Sequence, residues 1–235
     1  MSYAAFQDRA AIHAAANERA EFIRLTYLHL GGAVLACAAL CYLLVTTAGE
    51  TITGFAFGGG MNWLIMLGGF MLVGWIAERW ARSGGSQGKQ YLGLGVYVLA
   101  QSILLTPLLY VAAYMIGDPN VIPTAGVLTL TVFGGLTASV FITKKDFSFM
   151  GRALMLLGFG AMGLILVSII FGFSLGALFS AAMVVLAGGY ILYYTSNVLH
   201  HYPVGAHVAA SLALFSAVAL LFWYILQLVM SFGRD

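Results

Sequence analysis

"TKKDFSFMGRALMLLGFGAMGLILVSIIF" occupies positions 143–171. It opens on two lysines and an aspartate, and its last charge is Arg152. The residues that follow, Ala153 to Phe171, are uncharged. At ~1.5 Å per residue, a helix of that length crosses a hydrocarbon core of about 30 Å. The apolar residues run on without in–out alternation, so the stretch reads as a membrane helix and not as a strand of a barrel.

The same unit, a short polar turn feeding an apolar run, recurs along the chain. Seven spans are expected at about 26–47, 61–80, 90–116, 121–143, 149–171, 175–199 and 204–231. The turns between them are short, such as RSGGSQGK at 82–89, GDPN at 117–120 and HHYP at 200–203. Composition agrees: 62% of the residues are hydrophobic and 8% charged, whereas a soluble domain carries about a quarter charged residues. Lipid must solvate most of the surface, and lipid forces backbone polar groups to pair within the chain. The expected fold class is an all-α polytopic membrane protein. Residues 1–25 form a cytoplasmic N-terminal segment, partly helical, and residues 26–235 the seven-helix domain. The N-terminus is polar and Ala-rich with no short apolar core before a cleavage site, so no secretory signal peptide is expected.

Lys and Arg set the orientation. With seven spans, nine of the ten fall on one side: Arg9, Arg19, Arg24, Arg79, Arg82, Lys89, Lys144, Lys145 and Arg152. Only Arg234 falls on the other. The positive-inside rule then places the N-terminus in the cytoplasm and the C-terminus outside. In the last span Ala209, Ala213 and Ala217 repeat every fourth residue, with Ala206 and Ala210 beside them. Small residues on one face let helix backbones approach closely in lipid, which reads either as an ordinary packing seam or as the mark of a central helix wrapped by the others.

Chemistry-bearing residues are few in the apolar runs. The eight acids are Asp8, Glu18, Glu21, Glu50, Glu78, Asp118, Asp146 and Asp235, none near mid-span. Glu78 and Arg79 lie near a helix end, either as an interfacial ion pair or lining a cytoplasmic entrance. No motif of a nucleophile, phosphate loop or zinc hydrolase is present, and no base is spaced to activate an intramembrane Ser or Thr. The expectation is therefore a protein that is not an enzyme, with no cofactor and no nucleic-acid partner. Cys37 and Cys41 read as small core residues. His200, His201 and His207 are weak metal-ligand candidates: the first two would diverge on a helix, and Pro203 marks a turn. His29 is expected to hydrogen-bond a neighbouring helix. Gln101, Ser102 and Thr106 precede Pro107 and either satisfy backbone groups freed by a kink or, for Gln101, face a water-filled cavity.

Three stretches carry a family resemblance: RAEFIRLTY at 19–27, FITKKDFSFMGRAL at 141–154 and ILYYTSNVLH at 191–200. Together they resemble the Bax-inhibitor family, and its bacterial YccA-like branch in particular. The Thr-Lys-x-Asp-Phe-Ser pattern falls on Lys145, Asp146, Phe147 and Ser148, and the signature closing span six on Thr195, Ser196 and Asn197. The resemblance implies a non-enzymatic seven-helix fold with the last helix central. It also implies a bacterial inner membrane location, or alternatively the mitochondrial inner membrane. Members resembling calcium leak channels use an acid in span six and another in span seven as a proton-sharing pair. Here those positions fall on Tyr194 and about Ala217, and no acid lies anywhere in 147–234. A phenol with a pKa near 10 does not titrate in the physiological range, and calcium favours carboxylate oxygens. Leak of the dyad type is therefore expected to be lost. Besides the lipid bilayer, the partner implied is a membrane-anchored AAA protease of the FtsH type. The alternatives are a small-cation leak lacking the dyad and a subunit of a larger membrane complex.

Overall fold

The computed structural model describes residues 16–83 and 86–233. Arg9, Arg234, Asp235 and most of the N-terminal segment lie outside them. Eight α-helices are described: α1 Ala16–Thr47, α2 Gly49–Phe57, α3 Gly60–Ala81, α4 Gln87–Tyr114, α5 Val121–Thr143, α6 Gly151–Phe171, α7 Gly176–His200 and α8 His207–Phe232. A 3₁₀ turn, Ser148–Met150, leads into α6. Seven of the elements are long and apolar enough to cross a membrane; α2 is not among them.

α1 has 32 residues, or about 48 Å at ~1.5 Å per residue, well beyond a hydrocarbon core of about 30 Å. It starts before position 26, with Glu18, Arg19, Glu21 and Arg24 in its first turns. Phe22 and Thr26 are nevertheless buried there, which fixes this extension against the bundle. The connection after span one, where GFAFGGG at 54–60 reads as a turn, is in large part helical. GETITGFAF forms α2, because Gly49, Thr53 and Ala56 share one face and bury it. Gly49 lies so close to the Tyr110 ring that no larger residue fits.

α8 is the axis of the assembly. It packs against α1, α3, α4, α5 and α7. In the apolar windows of α4 and α8, 61% of residues are buried, against 11–33% in the other five spans, so those two form the interior. A helix buried on every side belongs in a core. α8 fulfils this with Ala209, Ala210, Ala213, Ala217 and Ala219 where backbones come close, and with Leu214, Leu221 and Leu226 filling the gaps. The alanine stripe is thus part of the seam around the central helix. At a second close approach, α4 crosses α3 where Gly93 lies against the backbone of Ala77 and Ala81.

α4 runs through Pro107 without interruption and buries Gln101, Ser102 and Thr106 in the turns before it. Ser102 Oγ donates to Val98 O at 2.8 Å, and Thr106 Oγ1 donates to Ser102 O at 2.8 Å. The two hydroxyls therefore serve carbonyls one turn back on their own helix, and not the Ile103 carbonyl that Pro107 leaves without a partner. Cys37 and Cys41 sit against the same turn, buried and unbridged, with their sulfurs 3.9 Å apart.

Candidate functional site

Chemistry-bearing side chains gather at the basic end of the bundle, where the turn after α5 meets the end of α7. α5 closes on Lys144, which has φ +51 and is the only non-glycine among the described residues in the left-handed region. That conformation ends a helix and redirects the chain, bringing Lys145, Asp146, Phe147 and Ser148 across the last turn of α7. Asp146 is the hub. Its Oδ1 accepts from Ser148 N at 2.8 Å and from Ser196 Oγ at 3.2 Å. Its Oδ2 lies 2.9 Å from His201 Nε2. Ser196 Oγ in turn accepts from Phe147 N at 2.8 Å. Asn197 O accepts the backbone N–H groups of both His201 and Tyr202 at 2.8 Å, and His200 Nδ1 donates to Ser196 O at 3.0 Å. The two motif segments are thus a single structural latch between spans four, five and six.

Partial burial pushes the Asp146 carboxyl up. The Ser148 N–H, His201 and the Ser148 hydroxyl outweigh it and hold the group at about 2. A carboxyl held below its ordinary value of about 3.9 stabilises the fold above that value and loses the contribution as pH falls through the folded value. Asp146→Asn is therefore expected to melt below the parent at pH 5, with the gap closing between pH ~4 and ~2. The loss at pH 5 is about 0.5–1 kcal/mol, since the carboxylate is 45% exposed and water screens its charge-assisted hydrogen bonds. Thermal unfolding in detergent at a series of pH values checks this; a gap unchanged at pH 2 would refute it.

Beside the latch lies the cleft that Tyr194 overlooks. Glu78, Ala81 and Arg82 of α3, Tyr194 of α7, and Ala209, Leu212 and Ala213 of α8 line about 230 Å³ of open space. The room inside is enough for roughly one water molecule. Glu78 is therefore at this opening, but Arg79 is not: its guanidinium lies 5.5 Å from the Trp75 ring. The cation facing Glu78 is Arg82, at 3.7 Å. Residues four apart share a helix face, whereas adjacent residues point about 100° apart. Tyr194 stacks on Tyr190 at 5.9 Å and touches Tyr193 at 5.3 Å. Ala217 is buried on α8, one turn beyond Ala213, and does not line the cleft. Across from Tyr194 the central helix therefore presents alanine and leucine.

Thr195 is fully buried beneath the latch. The Tyr27 hydroxyl lies beside those of Thr137 and Thr195 without the alignment of a hydrogen bond. The three histidines of the stretch 200–207 do not converge. His200 and His201 serve the α7 terminus, while His207 turns to His29, their ring centres 5.0 Å apart. His29 also meets Tyr91 of α4, Nε2 to hydroxyl 3.1 Å. Among the described residues no group of three or more His, Cys, Asp and Glu is placed to hold a metal ion. Neither the Asp146–His201 contact nor the His29–His207 contact has a local signature: their partners are 55 and 178 positions apart. The one available signal was that all four residues fall at the basic ends of their spans.

The profile of the family described as "Inhibitor of apoptosis-promoting Bax1" matches residues 19–234. The chain belongs to the Bax-inhibitor family. The match takes in all seven spans, the latch and the cleft. Two bacterial proteins are similar. The uncharacterized protein PA2604 of Pseudomonas aeruginosa is 35% identical over 124 residues, 51% of this chain and 55% of that one. The uncharacterized protein Cj0236c of Campylobacter jejuni is 30% identical over 139 residues, 58% of this chain and 59% of that one. The chain thus spans little more than half the length of these relatives. No solved structure matches it. This member of the Bax-inhibitor family is a multi-pass membrane protein with bacterial relatives.

Proposed function

We propose that this Bax-inhibitor family member is a non-enzymatic regulator of a bacterial inner membrane, closed to ions, that acts by binding a membrane AAA protease of the FtsH type. The observation that carries the reading is the packing at Tyr194. The position where the resemblance puts a gating carboxylate holds a stacked phenol, facing alanine and leucine of the central helix. A hard cation crossing there would meet no carboxylate apart from Glu78, which already faces Arg82.

Support for a contact role comes from the N-terminus. α1 runs several turns past the hydrocarbon core, with Glu18, Glu21 and Arg24 exposed. Residues 1–18 before and within it are polar and Ala-rich, the kind of handle an unfolding machine engages. Deleting residues 2–18 is expected to lengthen the half-life of the protein several-fold in cells that contain the protease, and to leave it unchanged in cells that lack it. Pulse-chase turnover in the two strains tests this. Equal turnover of full-length and shortened protein in both would sink the protease reading.

A second reading rests on the cleft itself. It opens at the basic end beside Glu78, and an acid at 194 would give it two carboxylates. A small-cation leak that lost its dyad is the function that geometry supports next.

A further inference from the structure

The structure joins three residues that neither motif contains. His29 lies in α1, Tyr91 early in α4, and His207 is the first residue of the central α8. These three helices pack against one another. His29 Nδ1 is 2.6 Å from Leu25 O. A carbonyl only accepts, so Nδ1 carries the proton, and in the neutral ring Nε2 presents its lone pair. That lone pair faces the Tyr91 hydroxyl at 3.1 Å. The His207 ring stands with its centre 5.0 Å from that of His29, tilted by 48°.

The geometry points to a divalent transition-metal site formed by His29, His207 and Tyr91 at the basic end of the bundle. Three features fit a first-row ion. Imidazoles bound side by side to one ion, through bonds of ~2.0–2.1 Å, put their ring centres about 5 Å apart. Donor atoms on neighbouring corners of a tetrahedron of that size lie about 3 Å apart, as His29 Nε2 and the Tyr91 oxygen do. A metal-binding histidine typically donates its other N–H to a backbone carbonyl, which fixes the tautomer and aims the ring; Leu25 O does this for His29. The two imidazoles favour zinc, cobalt, nickel or copper over magnesium or calcium. Tyr91 is 44% exposed and both histidines are partly exposed, so an ion can reach the site from the membrane surface. Binding would break the Tyr91 O–H···Nε2 hydrogen bond and release that proton to solvent, and water would complete the coordination. The ion would clip α1, α4 and α8 together two residues before Ala209, which lines the cleft.

The test uses the full chain in lipid nanodiscs, stripped with a chelator. It is titrated at pH 7.5 with Zn(II) by calorimetry and with Co(II) by visible absorption. The expected result is one equivalent bound, with cobalt bands of nitrogen and oxygen ligation. His29→Gln and His207→Gln should each weaken binding at least tenfold. Tyr91→Phe, at an exposed position that keeps the ring, should weaken it several-fold. The double variant His200→Gln, His201→Gln should bind as the parent does. Zinc should also raise the unfolding temperature of the parent and not that of Tyr91→Phe to the same extent. Three results would each overturn the assignment: no saturable binding by the parent, binding that survives both His29→Gln and His207→Gln, or binding abolished by the 200/201 pair.

Discussion

Gly93→Leu should yield no folded seven-helix protein, while Gly95→Leu, two residues away, should be tolerated. A Cβ built at Gly93 would lie 2.5 Å from Ala77 O, 2.9 Å from Ala81 N and 3.1 Å from Trp80 Cβ. Two of those three atoms are backbone, so no rotamer change relieves the contact, and α3 and α4 must separate. Even Gly93→Ala should cost about 2 kcal/mol, since its Cβ meets the same backbone atoms, an overpacking penalty of ~3 kcal/mol or more less the ~1 kcal/mol that alanine gains in helix propensity. At Gly95 nothing lies within 4 Å and the position is exposed. An added side chain there meets lipid, and alanine or leucine also favours the helix, so stability should hold or rise slightly. Size-exclusion profiles and thermal unfolding of the paired variants in mild detergent check this. Equal behaviour of the two sites would mean that the α3–α4 crossing is wrongly placed.

The second large effect is expected at Tyr194. Tyr194→Asp removes a ring that stacks on Tyr190 and fills the end of the cleft. It leaves a carboxylate beside Glu78, in space that water then enters. Two neighbouring acids raise one pKa into a range where modest pH changes alter their charge, and they offer calcium the oxygens it favours. In proteoliposomes the variant should pass calcium at least tenfold faster than the parent at pH 7. Tyr194→Phe keeps the ring and should leave flux and stability close to the parent. That contrast separates the missing carboxylate from simple loss of packing. A silent Tyr194→Asp would show that the helices enclose no path for ions, and would remove position 194 as the deciding residue.

The sequence disclosed the spans because charge is nearly absent from them and lipid demands it. The alanines of α8, repeating every fourth residue, were legible as a packing seam, and the family resemblance implied that their helix is central. The two motif segments were legible as separate patches. Their union through Asp146 and Ser196 was not, since it depends on how α5 and α7 lie beside each other. α2 was hidden because the glycine-rich GFAFGGG at 54–60 reads as a turn, whereas Gly49, Thr53 and Ala56 bury one shared helical face. Pairing Glu78 with Arg79 followed adjacency, whereas helical geometry gives Glu78 to Arg82. His207 was grouped with His200 and His201 by nearness in sequence. The chain reverses between them at Pro203, and that reversal carries His207 to His29.

The most direct test is calcium flux through the unmodified protein in proteoliposomes, measured from pH 6 to pH 8 beside Tyr194→Asp. The account predicts that the parent stays at the background of empty vesicles at every pH while the variant conducts. Steep, pH-dependent flux through the parent would contradict it, since another acid would then be doing the work of the pair that Tyr194 and the alanines of α8 have displaced.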